Sequence, residues 1–134
     1  MIVADANLVL YLLAPGTRTA EAEAVYRKDP TWAVPPLCLS EVRNVVLRYV
    51  RSGALTLTDA ERIVARAETL VTQNHGGVNS AAVLLLGHQS GCSAYDCEYV
   101  VLAKALDVPL ITADRDLRRA FGSIARTPAE FTGE

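Results

Sequence analysis

Acidic residues that are far apart in the sequence stand at the ends of predicted strands or at the starts of predicted helices. They are Asp5, Glu41, Asp96 and Asp114, with Asp116 as a fifth candidate. Several carboxylates in one partly buried pocket repel each other and lose hydration, so protons or a cation must neutralise them. Oxygen ligands alone favour Mg²⁺ or Mn²⁺ over zinc. The chemistry indicated is that of a carboxylate-held metal ion.

Each acid also has a purely structural interpretation. The two that follow strands, Asp5 and Asp114, can cap helices or form Asx turns, and the two near helix starts can complement a helix dipole. Other kinds of site find little support. Neither histidine, His75 or His88, belongs to a triad or an HExxH pattern, and the chain has no Walker A or GxGxxG sequence. The prediction therefore depends on the acids being grouped.

Alternating strands and helices position these acids. Short apolar runs predict strands buried on both faces, as in parallel sheets. The predicted strands are Met1–Ala4, Thr31–Val34, Val71–His75, Val108–Thr112 and a last one around Ile124. Helices are predicted from Leu8 to Leu13, from Arg18 to Lys28, from Pro36 to Gly53, from a capping box at Thr58–Glu61 to Leu70, from Asn79 or Ser80 to Ser90, from Tyr95 to Leu106 behind a Ser93 cap, and from Asp116 to Phe121. This alternation predicts an α/β fold with helices on both faces of a parallel sheet.

Helical spacing also predicts which side chains face the core. Ala20 is expected to face inward with Ala24 and Val25 in the second helix, and the following sets are expected to do the same in two later helices. They are Val42, Val45, Val46, Tyr49 and Val50, and then Val100, Val101, Ala103, Ala105 and Leu106.

Composition limits the class of protein. The 134 residues predict one domain, 1–134, and the 51% hydrophobic content leaves apolar surface for a partner. A net charge of −2 excludes a strongly basic nucleic-acid-binding fold, so phosphate contacts would fall to local arginines. The candidates are Arg43, Arg48, Arg115, Arg118 and Arg119. The three cysteines, Cys38, Cys92 and Cys97, are expected to be reduced thiols. With no signal peptide or membrane span predicted, a cytoplasmic location is expected.

Four motifs, in order along nearly the whole chain, resemble those of PIN-domain ribonucleases and, more narrowly, of VapC toxins from type II toxin–antitoxin pairs. They are DAN at Asp5–Asn7, SEVRN at Ser40–Asn44, SAYDCEYVVLA at Ser93–Ala103 and LITADRDL at Leu110–Leu117. The resemblance implies a PIN-like three-layer sandwich whose five-stranded parallel sheet has the order 3-2-1-4-5. That order puts the strand before Asp5 beside the strand before Asp114, at the switch point where α/β folds bind ligands.

The resemblance also implies roles for individual residues. The four acids match the family's catalytic metal site, whereas Asp116 matches a position that is acidic only in some members. Asn7, Asn44 and Thr112 match polar positions around that site. The activity implied is a Mg²⁺- or Mn²⁺-dependent endoribonuclease in which a metal-activated water attacks RNA in line, leaving a 5′-phosphate and a 3′-hydroxyl. A cognate antitoxin protein and a toxin homodimer are implied as well.

Two other functions are compatible with acids at these positions. A phosphatase of the haloacid dehalogenase type also has an aspartate after its first strand, but it needs a second one at position 7, where this chain has Asn7. A non-catalytic module would use the acids to attract a basic peptide or to hold a structural ion. Neutralising Asp96 separates these cases, because an enzyme would lose its rate while keeping its stability.

Overall fold

The fold is organised around five short strands, in a computed structural model that describes residues 1–72 and 78–133. The strands are β1 (Ile2–Ala4), β2 (Trp32–Ala33), β3 (Val71–Thr72), β4 (Leu110–Ile111) and β5 (Ala125–Arg126). They lie side by side in the order β3-β2-β1-β4-β5, and every neighbouring pair is parallel. The predicted α/β fold with a parallel sheet is confirmed.

Eight helices accompany the strands within the described segments. They are α1 (Ala6–Leu13), α2 (Thr19–Lys28), α3 (Leu37–Arg51), α4 (Leu57–Leu70), α5 (Ser80–Ser90), α6 (Ala94–Leu106), α7 (Arg115–Ala120) and α8 (Pro128–Thr132). Ile2, Val3 and Ala4 of β1 are fully buried. Since successive strand residues point to opposite faces, both faces of the sheet are covered at β1. No helix in the described segments is long and apolar enough to cross a membrane.

Polar caps set where several helices begin. Ser93 accepts a hydrogen bond from the backbone N–H of Asp96 at 3.1 Å and caps α6, as predicted. The predicted capping box at Thr58–Glu61 is wrong. The box is formed two residues earlier, where Thr56 and Asp59 exchange side-chain to backbone hydrogen bonds of 3.0 and 3.2 Å. The same spacing of a threonine and an acid occurs at both places, and the earlier pair begins the helix.

Some side chains predicted to face the core do not. Ala20 is exposed and Ala22 is buried in its place. Tyr49 keeps 44% of its surface exposed, although it lies on the same stripe of α3 as the buried Val42 and Val46. In α6, Ala105 is likewise exposed.

Two parts of the chain differ in extent from the sequence prediction. The strand predicted at 71–75 includes β3, while residues 73–75, with His75, lie outside the described residues. Helix α8 was not predicted. It begins with a capping box between Thr127 and Glu130, and Lys28 from α2 lies over the ring of Phe131 at 4.7 Å from its centroid.

Candidate functional site

Asp5 lies at the carboxyl end of β1 and begins α1. One carboxylate oxygen, Oδ1, accepts the backbone N–H of Leu8 at 2.8 Å, which is the hydrogen bond of a helix N-cap. The other oxygen, Oδ2, accepts the hydroxyl of Thr112 at 2.5 Å. Both oxygens are therefore held in place, and the carboxylate has a fixed orientation at the edge of the sheet.

Thr112 connects the two central strands of the site. It follows β4 directly, is 1% exposed, and accepts the backbone N–H of Asp114 at 3.0 Å with the same hydroxyl that donates to Asp5. Asp114 in turn caps α7 by accepting the N–H of Leu117 at 2.9 Å. Because β1 and β4 are neighbours in the sheet, one buried hydroxyl holds Asp5 and the Asp114 turn together.

Glu41 reaches the site from α3. Its Oε1 accepts the hydroxyl of Tyr99 at 2.6 Å, and Tyr99 is only 3% exposed. Sequence reasoning missed this tyrosine. The signal was present, because a buried tyrosine hydroxyl needs a polar partner, and Tyr99 lies one helical turn after Asp96 on the same face of α6.

Asp96 and Asp116 occupy a second side of the site. Asp96 is partly buried in the first turn of α6, where it and Asp116 line a cavity of about 200 Å³. Asp116 is exposed and forms an ion pair with Arg119 at 2.7 Å. An exposed ion pair of this kind is a surface feature, so the geometry favours a peripheral place for Asp116.

The acids influence each other's ionisation. Burial raises the pKa of Asp5 to about 6, and the charges of Asp114 and Glu41 add to the increase. Burial also raises the pKa of Glu41, with a contribution from Asp96, and it raises the pKa of Asp96, with a contribution from Asp114. Repulsion thus links Asp5 to Asp114 and Glu41, and it links Asp96 to the same two residues. Each of the four carboxylates therefore interacts with two of the others.

The donor atoms suit a hard cation, but the carboxylates do not form a complete coordination site. All four donors are carboxylate oxygens, which are the ligands that Mg²⁺ and Mn²⁺ prefer, and a cation would offset the repulsion that raises these pKa values. Within residues 1–72 and 78–133, however, no three acidic, histidine or cysteine side chains are close enough to hold one ion between them. Mg²⁺ commonly takes only one or two protein carboxylates and completes its shell with water and phosphate. The residues present fit that kind of site.

The remaining candidate residues have varied surroundings. Asn7, near the start of α1, and Asn44, in the middle of α3, are both exposed. His88 is exposed on α5. Among the candidate arginines, two are engaged in ion pairs, Arg118 with Glu130 at 2.5 Å and Arg119 with Asp116, whereas the other three are exposed. The cysteines are free thiols, and burial raises the pKa of Cys38 to about 12, so this thiol is unreactive.

Comparisons with known proteins agree with this fold. The family described as PIN domain matches residues 2–122. The chain is 27% identical over 128 residues to Ribonuclease VapC3 of Pyrobaculum aerophilum, covering 92% of this chain and 96% of that protein.

Solved structures have the same fold at low sequence identity. A toxin–antitoxin complex from Klebsiella pneumoniae contains a chain with a TM-score of 0.72 and 19% identity, covering 97% of this chain and 99% of that one. The crystal structure of PAE2754 from Pyrobaculum aerophilum gives a TM-score of 0.79 and 18% identity, covering 98% of this chain and 92% of that one. With a family match over most of its length, this chain belongs to the PIN domain family.

Proposed function

We propose that the chain is a single PIN domain, 1–134, that acts as a metal-dependent endoribonuclease and is the toxin of a type II toxin–antitoxin pair. The observation that supports this most directly is the group of acids at the carboxyl edge of β1 and β4, where the pKa of Asp5 is raised to about 6. Membership of the PIN family and the likeness to a protein named Ribonuclease VapC3 support the same activity.

The proposed ligands of Mg²⁺ or Mn²⁺ are Asp5, Glu41, Asp96 and Asp114, with Asp116 in a lesser role. When bound, the metal would lower the pKa of a water molecule and polarise a phosphodiester oxygen. The chain's own contribution is orientation. The Thr112 hydroxyl fixes the carboxylate of Asp5, the Tyr99 hydroxyl fixes that of Glu41, and the turn after β4 holds Asp114. Carboxylates that are already oriented lose less conformational freedom when they bind a ligand.

A cognate antitoxin and a homodimer are proposed as the protein partners in the cytoplasm. The solved toxin–antitoxin complex with the same fold supports a protein inhibitor. Apolar side chains at the surface supply area for such contacts: Leu84 and Leu85 on α5 are 69% and 55% exposed, and Leu57 at the start of α4 is 61% exposed. Association with a partner that covers these side chains removes their apolar surface from water, which favours the complex.

Cleavage of labelled RNA tests this function. Purified protein free of antitoxin is incubated with a panel of structured RNAs in Mg²⁺, in Mn²⁺ and in EDTA. We expect discrete cuts that need metal and that leave 5′-phosphate and 3′-hydroxyl ends. Asp96→Asn should abolish them while leaving the free energy of unfolding equal or higher, because a like charge is removed.

Asp107→Asn is the matched control. Asp107 is an exposed carboxylate at the other end of the same helix, with a left-handed φ of 54° that asparagine also adopts readily, so this change should leave cleavage intact. A 2′,3′-cyclic phosphate product would refute the water mechanism. A folded protein that binds metal but cuts no RNA and no small phosphate ester would favour a binding module.

A further inference from the structure

A cavity of about 420 Å³ opens between α1, the loop that follows it, and α3. Asn7, two residues after Asp5, lines one side of the cavity. Val45 lines the other side, one helical turn after Glu41. Two of the walls of the cavity are therefore formed by α1, which begins after Asp5, and by α3, which carries Glu41.

The charged and aromatic residues that line this cavity are two arginines and two tyrosines. The guanidinium of Arg18 lies over the ring of Tyr11 at 4.7 Å from its centroid and donates a hydrogen bond to the Tyr11 hydroxyl at 3.2 Å. Glu21 forms an ion pair with Arg18 from outside the lining and offsets part of its charge. On the opposite wall, Arg48 is exposed and Tyr49 is 44% exposed.

The charge of this cavity contrasts with that of the neighbouring site. No acidic residue of the described segments lines it, although acids surround the edge of the sheet next to it. Arg48 forms no ion pair with any residue in those segments. A positively charged cavity with aromatic walls is suited to a ligand that carries both a flat ring and a negative charge.

A nucleotide of single-stranded RNA has these two properties. Bases stack on tyrosine rings and on arginine guanidinium planes, and phosphates bind arginine. Arg48 follows Glu41 by seven residues on α3, which corresponds to about 10 Å along the helix. A strand whose scissile phosphate lies at the acids can therefore place a neighbouring nucleotide in the cavity.

We propose that the cavity is a subsite for an unpaired nucleotide flanking the scissile bond, with Tyr49 stacking on the base and Arg48 binding the phosphate. This inference rests on the proposed ribonuclease function, and it assigns part of the RNA selectivity to the wall formed by α3. It also requires the substrate to be single-stranded at that position, because a base within a duplex has both faces stacked on its neighbours and none free for Tyr49.

Binding measurements on the full chain test the subsite separately from catalysis. In an Asp96→Asn background that does not cut, the dissociation constant for a labelled single-stranded RNA is measured over a range of salt concentrations. Arg48→Ala should weaken binding and reduce the slope of log K against log salt by about 0.7, the value for one phosphate contact on a single strand. Tyr49→Ala should weaken binding at least about fivefold, whereas Tyr49→Phe should bind like the parent.

Arg51→Ala is the matched control, because Arg51 is exposed on the same helix but does not line the cavity. If the parent binds and the wild type cuts RNA while Arg48→Ala and Tyr49→Ala behave like Arg51→Ala, the subsite is refuted and the ribonuclease function stands. If the wild type neither binds nor cuts any RNA, the ribonuclease function and the subsite are both refuted.

Discussion

Asp5→Asn is expected to stabilise the metal-free protein at neutral pH but not in acid. Burial raises the pKa of Asp5 from its ordinary value of 3.8 to about 6. Between these pH values the folded chain binds a proton that the unfolded chain has released. Protonation of Asp5 therefore contributes stability that is present below about pH 4 and is lost as the pH rises through 6. One pKa unit corresponds to about 1.4 kcal/mol, so the whole shift is worth about 3 kcal/mol. Of this, about 2.4 kcal/mol is lost between pH 4 and pH 7, because the unfolded carboxyl is already more than half ionised at pH 4.

Asparagine at this position removes the titration and keeps the cap. Asparagine is as good an N-cap as aspartate, so the N–H of Leu8 stays bonded. The altered hydrogen bond with Thr112 has a cost, but that cost is the same at every pH. The pH dependence of the difference between the two proteins therefore isolates the charge of Asp5.

The assay is urea denaturation in EDTA from pH 4 to pH 8. The free energy of unfolding of Asp5→Asn minus that of the wild type should rise by about 2.4 kcal/mol between pH 4 and pH 7.5. Asp107→Asn should show no such rise. A difference that stays constant within about 0.5 kcal/mol, or that falls with increasing pH, would refute the desolvation of Asp5 on which the acidic site depends.

Three further predictions concern other parts of the fold and use the same urea assay. Thr112→Val should lower the free energy of unfolding by about 1–3 kcal/mol because it leaves the N–H of Asp114 and one carboxylate oxygen of Asp5 unpaired, and Thr112→Ser should recover most of the loss. Equal losses for both would show that the methyl packing matters instead. Thr56→Ala should cost about 1 kcal/mol and Thr58→Ala almost nothing, and the reverse order would restore the cap predicted from sequence. Gly91→Ala should cost about 1 kcal/mol, since the residue has a φ of 76° with open space around it, and a neutral result would show that the turn can relax.

The fold and the grouping of acids could be predicted because both follow from local pattern. Short apolar runs alternating with helical spacing define parallel strands, and the carboxyl ends of such strands meet at one edge. Asp5 follows β1 directly and Asp114 comes three residues after the end of β4, so their position at that edge depends on the strands alone. The same applies to Ser93, whose capping role depends on residues within one turn.

The contacts that orient the acids could not be predicted in this way. Thr112 bonds a residue 107 positions away, and Tyr99 bonds Glu41 across 58 positions. No local pattern specifies which hydroxyl meets which carboxylate after the chain has folded. Tyr49 shows the reverse difficulty: its spacing agrees with a core position, but the packing of α3 leaves it beside a cavity.

Asp5 and Asp114 each use one carboxylate oxygen to start a helix, and this affects how an inactive protein should be made. Alanine at either position would remove an N-cap worth about 1 kcal/mol as well as a proposed metal ligand, so an alanine scan would mix loss of fold with loss of chemistry. Asparagine keeps the oxygen that accepts the helix N–H and removes the charge, although at Asp5 it also alters the hydrogen bond with Thr112. Asparagine variants are therefore the suitable traps in a search for the proposed RNA substrate, and their thermal stability can be compared directly with that of the unsubstituted chain.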